Sequence, residues 1–270
     1  MSAHAIVAAV LLAALLAGEA AADTISPGGG SLQLPSDVAA AGAMPDDVRD
    51  SLERARDGFY SQCRAQGIAD PEHFVTERRD RAAQCVKDNV DVDEIVQDIS
   101  RHMENGELDV LFSSRCRDLP PRILDCIERP LVELERCLNE TERAKNYSAT
   151  LMAGLREAVD FLCFNDGERI AIFLGEKGQE CMSSQQVRDS LTQCLEKHNL
   201  TASTAPDVLD STTRGFTPAF CHRMFVAHDC AADALRLCDD PTPSNVVDSL
   251  LRAFEGPLPC RRSTSASLVS

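Results

Sequence analysis

From Pro45 onward the apolar positions recur at three- and four-residue intervals. Val48, Leu52, Ala55 and Phe59 share one helical face, as do Phe74, Arg78, Ala82, Cys85 and Val86. Val92, Ile95, Val96 and Ile99 repeat the spacing, followed by Leu131, Leu134 and Leu138, and by Leu151, Leu155, Val159 and Leu162. Such stripes bury one side of an amphipathic helix against a core. Asp70-Pro71-Glu72 is a helix start, with Asp at the N-cap and Pro in the first turn. No segment alternates with period two, and no hairpin dipeptide lies between β-branched runs. The pattern predicts an all-α protein.

Outside that region the pattern changes. Ala5–Ala17 is a continuous apolar stretch, and Ala20-Ala21-Ala22 offers small residues for cleavage before Asp23. Residues 1–22 therefore read as a secretory signal peptide, although its start carries no Lys or Arg. Residues 23–45 hold Gly28-Gly29-Gly30 and scattered prolines and read as a flexible leader. The polar end 261–270 reads as a disordered tail. No later stretch offers the roughly 18 apolar residues that a membrane anchor needs.

Export changes the meaning of the cysteines. There are 12, an even number, and in an oxidising compartment they read as disulfides. No C-x-x-C pair offers zinc its usual ligand spacing. Cys63, Cys85, Cys116, Cys126, Cys137 and Cys163 are separated by 22, 31, 10, 11 and 26 residues. Cys181, Cys194, Cys221, Cys230, Cys238 and Cys260 are separated by 13, 27, 9, 8 and 22. Both sets run long, long, short, short, long, and QCVKDN around Cys85 parallels QCLEKHN around Cys194. The expectation is two related helical modules of six cysteines, 46–163 and 164–260, each with its own three disulfides. Cys126 and Cys137 would lie about 16 Å apart on one helix and could not bond each other. The same holds for Cys230 and Cys238. Pro130 is expected to break the segment holding Cys126 and Cys137.

Asn139-Glu-Thr141, Asn146-Tyr-Ser148 and Asn199-Leu-Thr201 are N-glycosylation acceptor patterns. The formal net charge of −16 supplies no basic patch for nucleic acid or anionic lipid.

Catalytic signatures are missing. No H-E-x-x-H, G-x-S-x-G, phosphate-binding loop or calcium-loop spacing occurs. His73, His102, His198, His222 and His228 read as ordinary surface histidines, and His222 and His228 are badly spaced for a shared metal. In FLCFNDGERIAIFLGEKGQEC (161–181), Asn165 and Glu168 suggest a capping box. Ile170, Ile172, Phe173 and Leu174 suggest a short buried helix, with Gly175 as its stop. This segment is expected to join the two modules.

Three stretches carry a resemblance: NGELDVLFSSRC (105–116), FLCFNDGERIAIFLGEKGQEC (161–181) and CDDPTPSNVVDSLLRAF (238–254). Together with the cysteine pattern, over about 52–260, they resemble the insect 27 kDa haemolymph glycoprotein family. The resemblance implies a secreted, glycosylated, helical, cysteine-rich haemolymph protein, and it carries over no catalytic residues. The expectation is a non-enzymatic binding or carrier protein without a cofactor, taking a small apolar ligand or another haemolymph protein. The alternatives are an uncharacterised extracellular enzyme, or a storage or immune-response protein with no specific ligand.

Overall fold

The structure, a computed structural model, describes residues 46–200 and 216–262. The expected signal peptide, leader 23–45 and last residues 263–270 lie outside the described residues. Eleven α-helices and one 3₁₀ turn (Glu135–Cys137) account for the regular structure among them, and no strand occurs there. In chain order the helices are α1 Asp46–Ala65, α2 Pro71–Asn89, α3 Val92–Asn105, α4 Leu108–Leu134, α5 Glu140–Arg143 and α6 Tyr147–Leu162. They continue as α7 Phe164–Gly175, α8 Gly178–Met182, α9 Gln185–Lys197, α10 Pro218–Leu235 and α11 Thr242–Glu255.

Side-chain caps fix several helix starts by satisfying amides that have no helical acceptor. Asp70 accepts from the His73 amide at 3.0 Å ahead of Pro71, as its sequence position suggests. Asp91 accepts from Glu94 N at 2.9 Å, and α3 ends at left-handed Gly106. Thr217 accepts from Phe220 N at 3.1 Å before α10. α4 differs from expectation: it runs through Pro120, Pro121 and Pro130 and stops only at Leu134.

The main core gathers Ile95 and Ile99 of α3, Leu108, Leu111 and Phe112 of α4, and Phe173 and Leu174 of α7. Val246 and Val247 of α11 pack against it. α4 therefore acts as a spine, with α2 and α7 against it, while α6 packs on α11 and α10 lies between α9 and α11. The joining segment α7 is part of this core.

All twelve cysteines are bonded. The bridges are Cys63–Cys137, Cys85–Cys126 and Cys116–Cys163, then Cys181–Cys238, Cys194–Cys230 and Cys221–Cys260. In each set of six the order is first to fifth, second to fourth, third to sixth. Each first-to-fifth bridge sits in a small apolar cluster, one with Phe59, Phe74 and Leu134, the other with Val187, Leu191 and Leu235.

The segment around Asn165 is built differently from a capping box. Asn165, Asp166 and Gly167 have φ of 50°, 59° and 82°, a run of left-handed residues that bends the chain just after Cys163. The Asn165 amide nitrogen donates to the Glu168 carboxylate at 2.6 Å, a bond between side chains that leaves the backbone uncapped. Gly167 is the residue the bend requires. A Cβ there would stand 2.5 Å from Phe112 Cβ and 3.3 Å from Cys116 Sγ. Gly175 is an ordinary last helical residue with open space around it, and the left-handed position after α7 falls to Lys177 at φ 56°. Ile172 is exposed, so only one face of α7 is buried.

Candidate functional site

Two places concentrate chemistry, and both lie beside a third-to-sixth disulfide. The first is an open groove of about 490 Å³ between α4 and α6, over Cys116–Cys163. Pro120, Pro121, Leu124 and Val159 give it an apolar lining, and Asp125, Glu128, Arg156 and Asp160 give it a mostly acidic one. Proline has no amide hydrogen, so the carbonyls of Cys116 and Arg117 cannot receive their standard helical bonds from residues 120 and 121. Arg156 binds Glu128 at 2.5 Å, which neutralises one carboxylate. Asp125 holds only the exposed Arg129, one turn along its own helix, at 2.9 Å.

The second place lies between α10 and α11, over Cys221–Cys260. His228 is expected from sequence to be a surface residue; its side chain is only 1% exposed. Its Nδ1 stands 2.6 Å from Glu255 Oε1 and its Nε2 2.9 Å from Asp248 Oδ1. Burial alone would lower the imidazole's pKa. The hydrogen bonds to Glu255 and Asp248 outweigh it and hold the pKa above the ordinary histidine value. Asp248 is lowered, first by Arg252 and then, against its partial burial, by His228.

Arg262 closes this second place. It reaches back past Cys260, with Nη1 at 2.5 Å from Asp229 and Nη2 at 3.3 Å from Glu255 Oε2. Its guanidinium carbon stands 4.8 Å from the centre of the Phe225 ring, within cation–π range. Nη2 also lies 2.6 Å from His228 Nδ1. The charged ring donates to both carboxylates; a neutral ring frees Nδ1 to accept from Arg262 instead. Arg262 is therefore engaged, although it falls in a stretch expected to be a disordered tail.

This cluster is poorly suited to acid–base catalysis. Both ring nitrogens are occupied, the two acids sit on opposite edges of the ring rather than around a common point, and the imidazole is shielded from solvent. His73, His198 and His222 are exposed, and half-buried His102 lines a separate polar groove of about 460 Å³ with Asp98 and Arg115. Neither sequence spacing nor composition marks His228, because its partners lie 20 and 27 residues away on the next helix.

The three acceptor asparagines are exposed. Asn139 caps α5, accepting from Glu142 N at 2.9 Å. Asn146 and Asn199 are left-handed, at φ 49° and 54°. Ser148 of the second pattern is buried and donates to Glu135 at 2.5 Å, so transfer of a glycan there would have to precede folding. Thr201 of the third lies outside the described residues.

Comparison with known proteins gives one family, described as "Protein of unknown function (DUF1397)", matching residues 49–260. The chain is similar to the 27 kDa hemolymph protein of Galleria mellonella, 27% identical over 84% of this chain and 94% of that protein. It is also similar to the 27 kDa hemolymph glycoprotein of Manduca sexta, 28% identical over 77% of this chain and 85% of that protein. The 27 kDa glycoprotein of Bombyx mori is 26% identical over 83% of this chain and 92% of its own length. No solved structure matches the chain.

Proposed function

Because the chain belongs to this family of unknown function, DUF1397, matched over residues 49–260, we propose that it is a haemolymph binding protein rather than an enzyme. It is a secreted, extracellular haemolymph protein, as the relatives named for haemolymph are. The observation that carries the binding reading is the groove over Cys116–Cys163. It joins a bare apolar floor to carboxylates with weak partners, on two helices held in place by a covalent bridge. Rigid clefts with an apolar lining and a few polar groups are the usual form of a small-ligand site. The disulfides pre-organise the walls, which lowers the ordering cost of binding.

The histidine with the most acids around it, His228, has a saturated, buried ring, which argues against an enzymatic reading. The test is native mass spectrometry of the oxidised, glycosylated protein after incubation with haemolymph extract, in parallel with Leu124→Arg, which puts a positive charge on the groove floor. A bound mass retained by the parent and lost in L124R supports the reading. Equal retention by both, or no bound mass in either, overturns it.

A further inference from the structure

We propose that the two six-cysteine halves are copies of one unit, and that the groove over Cys116–Cys163 receives an arginine side chain from a partner polypeptide. The arginine assignment rests on the binding reading above and names what the groove binds.

Arg262 shows how the second half fills the corresponding place. There a guanidinium lies between the helix bearing the third and fourth cysteines and the helix leading to the sixth. Besides His228 Nδ1, which lies 2.6 Å from its Nη2, it touches three groups. One is Asp229, the residue just before the fourth cysteine, Cys230. Another is Glu255, an acid on the helix leading to the sixth cysteine, Cys260. The third is Phe225, four residues after the third cysteine, Cys221.

The first half repeats that frame. Asp125 stands just before its fourth cysteine, Cys126, and Asp160 is an acid on the helix leading to its sixth, Cys163. Pro120 stands four residues after its third, Cys116, in the place of Phe225. All three line the open groove, which occupies the same angle between the same two helices and over the same bridge.

The halves differ beyond the sixth cysteine. Two residues past Cys260 stands Arg262; two residues past Cys163 stands Asn165. The left-handed run 165–167 then turns the chain away, and Gly167 docks against Phe112 instead. The first half thus keeps an acid before the fourth cysteine, an acid on the last helix and an apolar plate, has Leu124 where the second half has His228, and holds its own Arg156 against Glu128, but supplies no arginine beyond the sixth cysteine at that position.

Two features select a guanidinium over other cations. Asp125 and Asp160 offer acceptors from both walls, which suits a planar group with five donors. Asp125's present partner, Arg129, is exposed, and an exposed pair one helical turn apart is weak enough to be shared or displaced.

The test uses uniformly ¹⁵N-labelled, oxidised protein and three probes: acetyl-Leu-Arg-amide, its neutral citrulline counterpart, and a neutral apolar fragment such as indole. The arginine peptide is expected to shift amides around 116–128 and 156–163, with one site per chain. Citrulline should bind roughly tenfold more weakly, since it lacks the charge that strengthens the hydrogen bonds. Asp125→Asn and Asp160→Asn, both exposed positions that leave the core intact, should each weaken the arginine peptide several-fold, and raised salt should do the same. Arg262→Ala should open the second copy, raising the stoichiometry to two and adding shifts near 225–229.

Equal binding of the arginine and citrulline peptides, or insensitivity to both aspartate variants, overturns the guanidinium assignment. A stoichiometry that stays at one in R262A overturns the kinship of the two places. Groove shifts with indole but not with the arginine peptide overturn this inference and leave the binding reading standing. No groove shift with any probe overturns both.

Discussion

At the residue scale, Gly167 carries a demand that the chain around it conceals. Its φ of 82° is left-handed, and a Cβ would sit 2.5 Å from Phe112 Cβ, an atom fixed by its own helix. Gly167→Ala therefore combines backbone strain of about 1–2 kcal/mol with overpacking of about 1–3 kcal/mol. It should lower the urea midpoint of the oxidised protein sharply. Gly175→Ala, at a helical position with open space, should be neutral or stabilise by up to about 1 kcal/mol. A G175A loss as large as that of G167A would contradict the geometry. Read from sequence, Asn165 and Gly175 look like the cap and the stop, because Asn, Glu and Gly fall at the right spacing. What overrides local chemistry is the approach of Phe112, more than fifty residues earlier, and no local pattern records that approach.

His228 is the second residue whose role depends on distant partners. Its pKa is raised in the folded state, so its contribution to stability is complete below the unfolded value of about 6.5. That contribution fades as pH rises through the raised folded value. The groups touching it are Asp248 and Glu255 on α11 and Arg262 beyond Cys260, while Arg252 in turn holds Asp248 and Asp229 holds Arg262. His228→Gln keeps the size and some hydrogen bonding but cannot charge. Melting temperatures of parent and H228Q should differ most at mildly acid pH and converge as pH rises into the alkaline range. A gap that widened with rising pH would mean that the neutral ring is the stabilising form.

At the element scale, the caps show what short-range chemistry can specify. Asp70-Pro71 reads as a helix start and is one, since the acceptor and the missing amide solve the same local problem. Pro130 reads as a break and is not one: α4 carries it, with Pro120 and Pro121, inside a 27-residue helix. Packing on α2 and α7 supplies more than the local cost of three lost amide donors. Contact between elements is equally hidden. Gly154 of α6 lies against α11 so closely that a Cβ would meet the Phe254 carbonyl oxygen at 2.6 Å. Gly154→Val should separate α6 from α11 and cost roughly 3 kcal/mol, by the same overpacking. Gly58→Val on α1, where nothing lies within 4 Å, should be neutral or slightly stabilising, since valine is the better helix former. Circular dichroism melts of the pair would separate the two effects.

At the scale of the whole molecule, twelve cysteines admit very many pairings, and the spacing pattern narrows them only by suggesting two sets of six. The bridges within each set follow one order, and each occupies the corresponding helix junction. The physical reason lies in the long helix of each half. It holds the third and fourth cysteines about 15 Å apart, too far to bond each other, so both must reach outward to different neighbours. The fourth meets the helix of the second, the sixth is brought to the third by the last helix, and the first and fifth remain for each other. Non-reduced peptide mapping should therefore recover three bridges confined to 63–163 and three confined to 181–260, with no cross-link between the sets. Removing the Cys85–Cys126 bridge by paired Ser substitution opens a loop of 41 residues, which loop-closure entropy values at about 4 kcal/mol. If each set braces its own half, that loss should strip amide-exchange protection mainly from 71–134 and leave 218–258 protected. Uniform loss of protection along the whole chain would show that the shared core around Phe112 and Phe173 makes the two halves one cooperative unit.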